Sequence, residues 1–287
     1  ALVAQLSANP KIACRACYRT LPAQLPEGAM SFAVGEIESA DWSGALHGAE
    51  IVVHTVARTH VLNDSEADPL AAYRRVNVAG TTRLAEAAAN AGVKRLIYLS
   101  SIKVNGESTP IDRPFTEADT PNPTDSYGIT KWEAEQALWR VCATTGLEGV
   151  VLRPPLIHGP GVKGNLRQLK RLIELGIPLP LANAPNKRSL LSLDNLTSAI
   201  AACLTHPAAA GRTFLLSDGE DLSTPELIEE MARAMGRSAR LWPFPPALLK
   251  AAASIAGRSA VADRLLGSLR VDSGAIREAL GWSPTPR

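Results

Sequence analysis

Tyr127 and Lys131 stand four residues apart in Tyr127-Gly128-Ile129-Thr130-Lys131, and Ser101 lies 26 residues before the tyrosine. Residues four apart share one face of a helix. A free tyrosine loses its proton near pH 10, so service as a base near neutrality needs about three pH units of depression, roughly 4 kcal/mol. An ammonium one helical turn away favours the phenolate. A serine hydroxyl can hold the substrate oxygen that gains or loses the proton. Together these residue types suit moving a proton on and off an alcohol while a hydride leaves or returns at its carbon. The same spacing arises by chance in ordinary helices, so its meaning depends on what surrounds it.

The apolar run Leu96-Ile97-Tyr98-Leu99 reads as a buried parallel strand and ends at Ser100-Ser101. In an open α/β sheet, ligands sit at the carboxyl ends of the strands. A Pro-rich loop through Pro121-Asn122-Pro123-Thr124 leads to a predicted helix over 125–145, which carries Tyr127 and Lys131. Other predicted strands cover 12–18, about 30–34, 51–57 and 149–152, the last stopped by Pro154-Pro155. Residues 1–8 read as the tail of an amphipathic helix, and 69–91 as one long Ala-rich helix closed by Gly92. This alternation predicts an α/β fold: a Rossmann-like, doubly wound parallel sheet over residues 1–154. After Pro155 the elements shorten, with helices expected at 164–175, 194–205, 223–235 and 272–280. Ser223, Pro225 and Glu226 form a helix start. Residues 155–287 read as a smaller mixed α/β substrate lid that can interleave with the first domain.

Bulk properties narrow the classes. The chain has 287 residues, 46% hydrophobic and 20% charged, the composition of a globular protein. A net charge of +2 argues against a nucleic-acid partner or an anionic membrane surface held by bulk charge. No apolar run approaches the roughly 18 residues of a spanning helix, and Ala1 to Pro10 has neither the basic start nor the apolar core of a signal peptide. Cys14 and Cys17 form a C-x-x-C without a second pair to complete a zinc site. On a strand, residues three apart point to opposite faces, so they read as ordinary strand cysteines, in keeping with a reducing cytoplasm.

Several motifs occur in order. They are Val53-His54-Thr55-Val56-Ala57, Asn77-Val78-Ala79-Gly80-Thr81, the run Leu99 to Gly106, Tyr127 to Lys131, and Leu152-Arg153-Pro154-Pro155 to Gly159-Pro160-Gly161. Arg188 to Asp194 and Arg277 to Trp282 continue the pattern. With these motifs the chain resembles the extended short-chain dehydrogenase/reductases, especially nucleotide-sugar 4-epimerases and 4-keto-sugar reductases. That family normally opens with a strand and a G-x-x-G-x-x-G turn that receives the cofactor pyrophosphate. This chain begins inside what reads as the first helix, so the expectation is that the first strand and Gly-rich turn are missing from it.

The resemblance implies roles. Tyr127 would donate or accept the proton, Lys131 would lower its pKa and bind the nicotinamide ribose, and Ser101 would hydrogen-bond the reacting oxygen. Ser100 would support Ser101. Thr55, Val56, Ala57 and Pro154 would line NAD or NADP. Asn77 would steady the active-site backbone or a water, or else be a packed helix residue. Arg19 follows the second predicted strand with no acid nearby and could face a 2′-phosphate, which leans towards NADP; it reads otherwise as a solvated surface charge. His54 reads as a core histidine, His60 invites the same comparison with an acid/base role, and His158 lies in a loop near the cofactor. For the diphosphate of a nucleotide sugar, Arg188 is the leading cation, with Asn165, Arg264, Lys163 and Lys103 as further candidates for substrate contact.

Two departures bear on the reaction. Ile102-Lys103 stands where dehydratases of the family carry Asp-Glu, so 4,6-dehydration is disfavoured. Asn105 stands where many hexose epimerases have Tyr, which leaves room for an N-acetylated or 6-deoxy sugar. The expected function is NAD(P)-dependent oxidoreduction at C4 of a nucleotide-diphosphate sugar, as a UDP-sugar 4-epimerase. An NADPH-dependent 4-keto-sugar reductase is the alternative, and a steroid-type alcohol dehydrogenase or a non-catalytic dinucleotide sensor is disfavoured by the cationic lid and the intact Tyr–Lys pair. The expected assembly is a homodimer through the helix bearing Tyr127, with Trp132 and Trp139 suited to its surface.

Overall fold

The architecture follows from four buried parallel strands with helices on both faces. The computed structural model describes residues 1–59, 66–160 and 165–286, without the side chains of Asn165 and Ala260. His60 and Lys163, and the side chain of Asn165, therefore lie outside the described residues. A short helix α1 (Leu2–Ser7) leads to β1 (Cys14–Tyr18), which pairs in parallel with β2 (Ala29–Ala33) as a sheet of its own. After α2 (Ser43–Leu46), the main sheet runs in the order β3 (Ile51–His54), β4 (Arg95–Leu99), β5 (Glu148–Arg153) and β8 (Arg212–Leu215), all parallel. A third sheet joins β6 (Leu156–His158), β7 (Arg188–Ser192) and β9 (Asp221–Leu222).

Strand alternation sorts the core into two layers. Leu96, Tyr98 and Val151 face one way, onto α4 (Gly80–Asn90) and α5 (Ser126–Thr145), with Leu84, Ala88 and Leu138. Ile97, Val150 and Leu152 face the other way, onto α7 (Leu193–Thr205) and α11 (Gly274–Leu280), with Ile200, Phe214 and Ile276. Register sets His54 beside Tyr98, Tyr98 beside Val151, and Leu99 beside Leu152. The carboxyl ends of β3, β4 and β5 therefore lie level, and the residues after them share one edge.

The long helix expected over 69–91 is three pieces: α3 (Pro69–Arg74), a π-helical turn at Arg75–Ala79, and α4. The wide turn holds Asn77, whose side chain leaves the helix to serve other backbone, a common context for π-turns. Gly92 ends the run at φ 74, the left-handed conformation of a C-cap.

The second half does not stay separate. β8, α7 and α11 complete the main sheet and its second face. A smaller core gathers α6 (Asn165–Glu174), α8 (Thr224–Ala234), α9 (Pro246–Ile255) and α10 (Ser259–Leu266) around Leu169, Ile173, Ile228 and Leu266. α8 starts with the expected capping box: the Ser223 hydroxyl accepts from the Glu226 amide at 3.3 Å, and the Glu226 carboxylate accepts from the Ser223 amide at 2.6 Å. Ser223→Ala is expected to lower stability by about 1 kcal/mol, read as a shift of the urea midpoint at constant slope.

Candidate active site

Tyr127 is the second residue of α5, whose start is set by Asp125. The Asp125 carboxylate accepts from the Gly128 amide at 2.7 Å, an N-cap that also closes the Pro-rich loop. Ser101 caps a 3-10 turn, Ile102–Val104, by accepting from the Lys103 amide at 3.3 Å. The two caps face one another across Gly128, where a Cβ would sit 2.8 Å from the Lys103 carbonyl oxygen. Only a glycine lets α5 approach the serine turn this closely. Gly128→Ala is expected to push Tyr127 away from Ser101 and to lower stability by about 1–3 kcal/mol, with turnover falling further than the melting temperature alone would explain.

The three predicted catalytic residues come together. Tyr127 and Ser101 share a hydrogen bond. Lys131 is buried beneath them, donating from Nζ to the Leu99 carbonyl at 2.6 Å and lying 4.1 Å from the centre of the Tyr98 ring.

The electrostatics differ from the sequence expectation. Burial pushes the Tyr127 phenol up to about 12, against a lowering by the Ser101 hydrogen bond, and Lys131 is not what sets it. Lys131 is itself pulled down to about 7 by burial, opposed by Glu135. Taking both groups out of water penalises both charged forms, so the positive charge of Lys131 is weakened near neutrality and burial, not the lysine, sets the phenol. The pair therefore presents a protonated tyrosine near neutrality, ready to give its proton to a carbonyl; to take one from an alcohol it must first lose its own.

The residues assigned to the cofactor separate into two sets. Thr55 and Val56 are exposed at the carboxyl end of β3, and Ala57 is partly so, beside the Ser101 tip. Thr55, Val56 and Ala57 could border a dinucleotide at this edge, while Lys131 lies buried behind it. The others act from behind. Asn77 is buried: its amide oxygen accepts from the Arg58 amide at 2.7 Å, and its nitrogen donates to the Arg58 carbonyl at 3.3 Å and to Thr130 Oγ1 at 3.0 Å. It braces the backbone after Ala57 against α5 and has no group left for a cofactor. Ser100 turns its hydroxyl inward to Glu135, and Pro154 is buried with its carbonyl accepting from the Ile102 amide at 2.9 Å. Arg19 is not isolated from acids: it pairs with Glu36 at 3.3 Å on the surface, so the lean towards a 2′-phosphate loses its ground. Glu36 is distant in sequence and reaches Arg19 because β1 and β2 pair in parallel.

His54 is a satisfied core histidine. Thr81 Oγ1 donates to the Asn77 carbonyl at 2.6 Å, so the 2.9 Å contact with His54 Nε2 has the imidazole as donor. Burial, with Lys131 nearby, holds its pKa down to about 3. Cys14 and Cys17 are both free thiols on opposite faces of β1.

Of the substrate cations, Arg188 donates to the Arg264 and Gly267 carbonyls at 3.1 and 3.0 Å, and burial lowers its pKa while the charge of Glu107 opposes this. Lys103 pairs with Glu107 at 2.9 Å and with Asp125, so its charge is answered within the protein rather than offered to a phosphate. Arg264 is exposed next to Arg188. His158, Arg167, Lys170, Leu190, Glu230 and Met231 line a cleft of about 520 Å³, of which Arg188, Arg264 and Lys103 are not lining residues. His158 Nε2 donates to the carboxylate of buried Asp218 at 2.9 Å. Asn105 is buried and engaged with Arg153, so it does not present itself to substrate.

Sequence reasoning missed Glu135 and Arg153, a buried pair directly behind Ser100. A signal was available: Glu135 continues the 127–131 stripe one turn further, with Trp132, Leu138 and Trp139 three or four residues away on the same helix, and Arg153 ends an apolar strand.

The sequence pattern of the NAD dependent epimerase/dehydratase family matches residues 15–216. The chain belongs to that family. Among curated relatives, it is 46% identical over 255 residues to a UDP-glucose 4-epimerase of Vibrio cholerae, covering 88% of this chain and 78% of that protein. It is 30% identical over 252 residues to a 3-diazoavenalumate denitrifying reductase of a Streptomyces species, covering 82% of this chain and 76% of the relative. Its fold is similar to the UDP-glucuronic acid 4-epimerase from Bacillus cereus solved with NAD, at TM-score 0.79 and 19% identity over all of this chain and 90% of the other. As an epimerase/dehydratase family member, the chain is an NAD-dependent enzyme of the extended short-chain type, as the motifs implied. No described helix is long and apolar enough to cross a membrane. No group of acidic, histidine or cysteine side chains among the described residues is arranged to hold a metal.

Proposed function

We propose that this protein is a UDP-sugar 4-epimerase, with Ser101, Tyr127 and Lys131 as its catalytic residues. The similarity to the Vibrio cholerae UDP-glucose 4-epimerase, at 46% identity across most of both chains, carries the reading. The gathered serine, tyrosine and lysine at the sheet edge support it. NAD, when bound, would supply the hydride acceptor and donor for the C4 carbon. The chain does the rest. Ser101 holds the C4 oxygen, and Tyr127 takes its proton as the carbonyl forms and gives it back as the alcohol is restored. Lys131, fixed by the Leu99 carbonyl, binds the ribose side of the cofactor and adds positive potential under the phenol. Arg188 and Arg264 receive the diphosphate. Buried Ile102 and paired Lys103, in place of an acidic couple after Ser101, support epimerisation over dehydration. In solution we expect a homodimer, built on α5 and its neighbour.

A second reading, a reductase that consumes a nicotinamide cofactor, is favoured by the similarity to the Streptomyces reductase. One assay separates them. Purified protein with NAD is incubated with UDP-glucose, UDP-galactose and their N-acetylated counterparts, and the C4 epimers are resolved by proton NMR. Interconversion without net change in cofactor absorbance supports the epimerase. No epimer from any of the four, with turnover only as NADPH is consumed on a keto sugar, would overturn it.

A further inference from the structure

Behind Ser101 lies a charged cluster that the proton and hydride chemistry does not use. Glu135 stands one turn beyond Lys131 on α5 and is 0% exposed; Arg153 ends β5 at 4%. Arg153 Nε and Nη2 donate to the two Glu135 oxygens at 3.0 and 2.6 Å, and the Ser100 hydroxyl donates to Oε1 at 2.5 Å. Arg153 Nη1 donates to Asn105 Oδ1 at 2.9 Å, and Asn105 Nδ2 donates to the Thr116 carbonyl at 3.2 Å. The strand tip, the serine turn, the following loop, α5 and β5 all meet through one carboxylate and its guanidinium.

A well-packed apolar group of the same volume often replaces such a buried pair with no loss of stability. It would not supply a negative charge one turn from Lys131. The groups facing that lysine are His54 on β3, the Tyr98 ring and Leu99 carbonyl on β4, and Tyr127 and Glu135 on α5. His54 is neutral, with its pKa near 3, and burial pushes both tyrosines up. Among these described groups Glu135 is the one carboxylate, and both its oxygens accept from the Arg153 guanidinium.

We propose that Glu135 is a positioning residue: clamped by Arg153 and Ser100, it keeps Lys131 an ammonium in a buried site and holds the Ser101 tip against Tyr127. Burial alone depresses the lysine, and Glu135 is the charge that opposes this. The inference rests on the catalytic assignment of Lys131 and Tyr127, but its primary test needs no turnover.

The test is the pH titration of the Lys131 Cε resonance in protein carrying ¹³C-lysine, assigned by its loss in Lys131→Arg. In the native protein the midpoint is expected near 7. In Glu135→Gln it is expected to fall by at least about one pH unit, the reach of a close charge, and Glu135→Asp should recover most of that. Should Glu135→Gln fail to fold around an unanswered guanidinium, Glu135→Gln/Arg153→Met removes both charges, and the Lys131 midpoint should still fall. The high-pH edge of the epimerase profile should move the same way. A Lys131 midpoint that stays within about 0.3 pH unit in either folded variant overturns the inference. A shifted midpoint in a native protein that turns over no UDP-sugar leaves the inference standing and removes the epimerase reading.

Discussion

Tyr127→Phe is expected to bind NAD with near-native affinity while its turnover of a UDP-sugar falls by a factor of about 10³, within the range of general acid/base catalysis. The substitution removes one hydroxyl from a partly buried ring and leaves the ring in place. α5 is set by the Asp125 cap and by Gly128 against the Lys103 carbonyl, neither of which involves the phenol. Lys131 keeps its carbonyl partner at Leu99. The loss should therefore appear in kcat, with little change in KM. Because burial holds the phenol near 12 in the free protein, the native enzyme should gain activity as pH rises from acid, towards conditions in which the tyrosine yields its proton more readily. That dependence should vanish in Tyr127→Phe, and stopped-time NMR of the sugar anomeric signals across pH measures both effects. An unchanged rate in the variant would remove Tyr127 from the chemistry.

The second large effect concerns stability. Arg153→Ala is expected to destabilise the protein by about 3–5 kcal/mol, because it strips the fully buried Glu135 carboxylate of the guanidinium that meets both its oxygens and leaves the Ser100 hydroxyl as its hydrogen-bond donor. It also empties the space beside Trp132, over whose ring the guanidinium lies at 5.6 Å. The surface pair Arg19–Glu36 is the natural control. Its side chains are 74% and 56% exposed, so Arg19→Ala should cost no more than about 1 kcal/mol. Urea unfolding of the two variants, read at a common slope, separates them. Equal losses would mean that the Glu135–Arg153 pair is solvated in a way its burial does not suggest.

How legible the molecule was depends on the range of each interaction. The Tyr127–Lys131 face is local, and Ser101 closes an apolar strand, so both could be read from spacing. The buried strands over 95–99 and 148–153 could be read from their apolar runs, and the helix start at Ser223 from three residues in order. What escaped is what only long-range packing decides. Nothing within a few residues of Arg19 marks Glu36 as its partner, because their meeting depends on the parallel pairing of β1 and β2. Asn77 sits in an Ala-rich run that reads as uninterrupted helix, and only the demand of the Arg58 backbone opens the π-turn around it. The electrostatics were least legible of all. A lysine four residues from a tyrosine predicts a lowered phenol, but the sign depends on how deeply both are buried.

β8 has a consequence for how the enzyme can be made and divided. It joins the main sheet beside β5 through residues 212–215, so the strand row that carries Ser101 is not complete until about 60 residues beyond β5 have been made. Until then β5 presents an open edge with Val150 and Leu152 uncovered on one face, the kind of surface that recruits other strands. A fragment ending near residue 154 would carry every catalytic side chain and still lack the wall they lean on. The part of the chain that does the chemistry and the part that makes it foldable are thus not the same stretch, and neither can be inherited, expressed or swapped without the other.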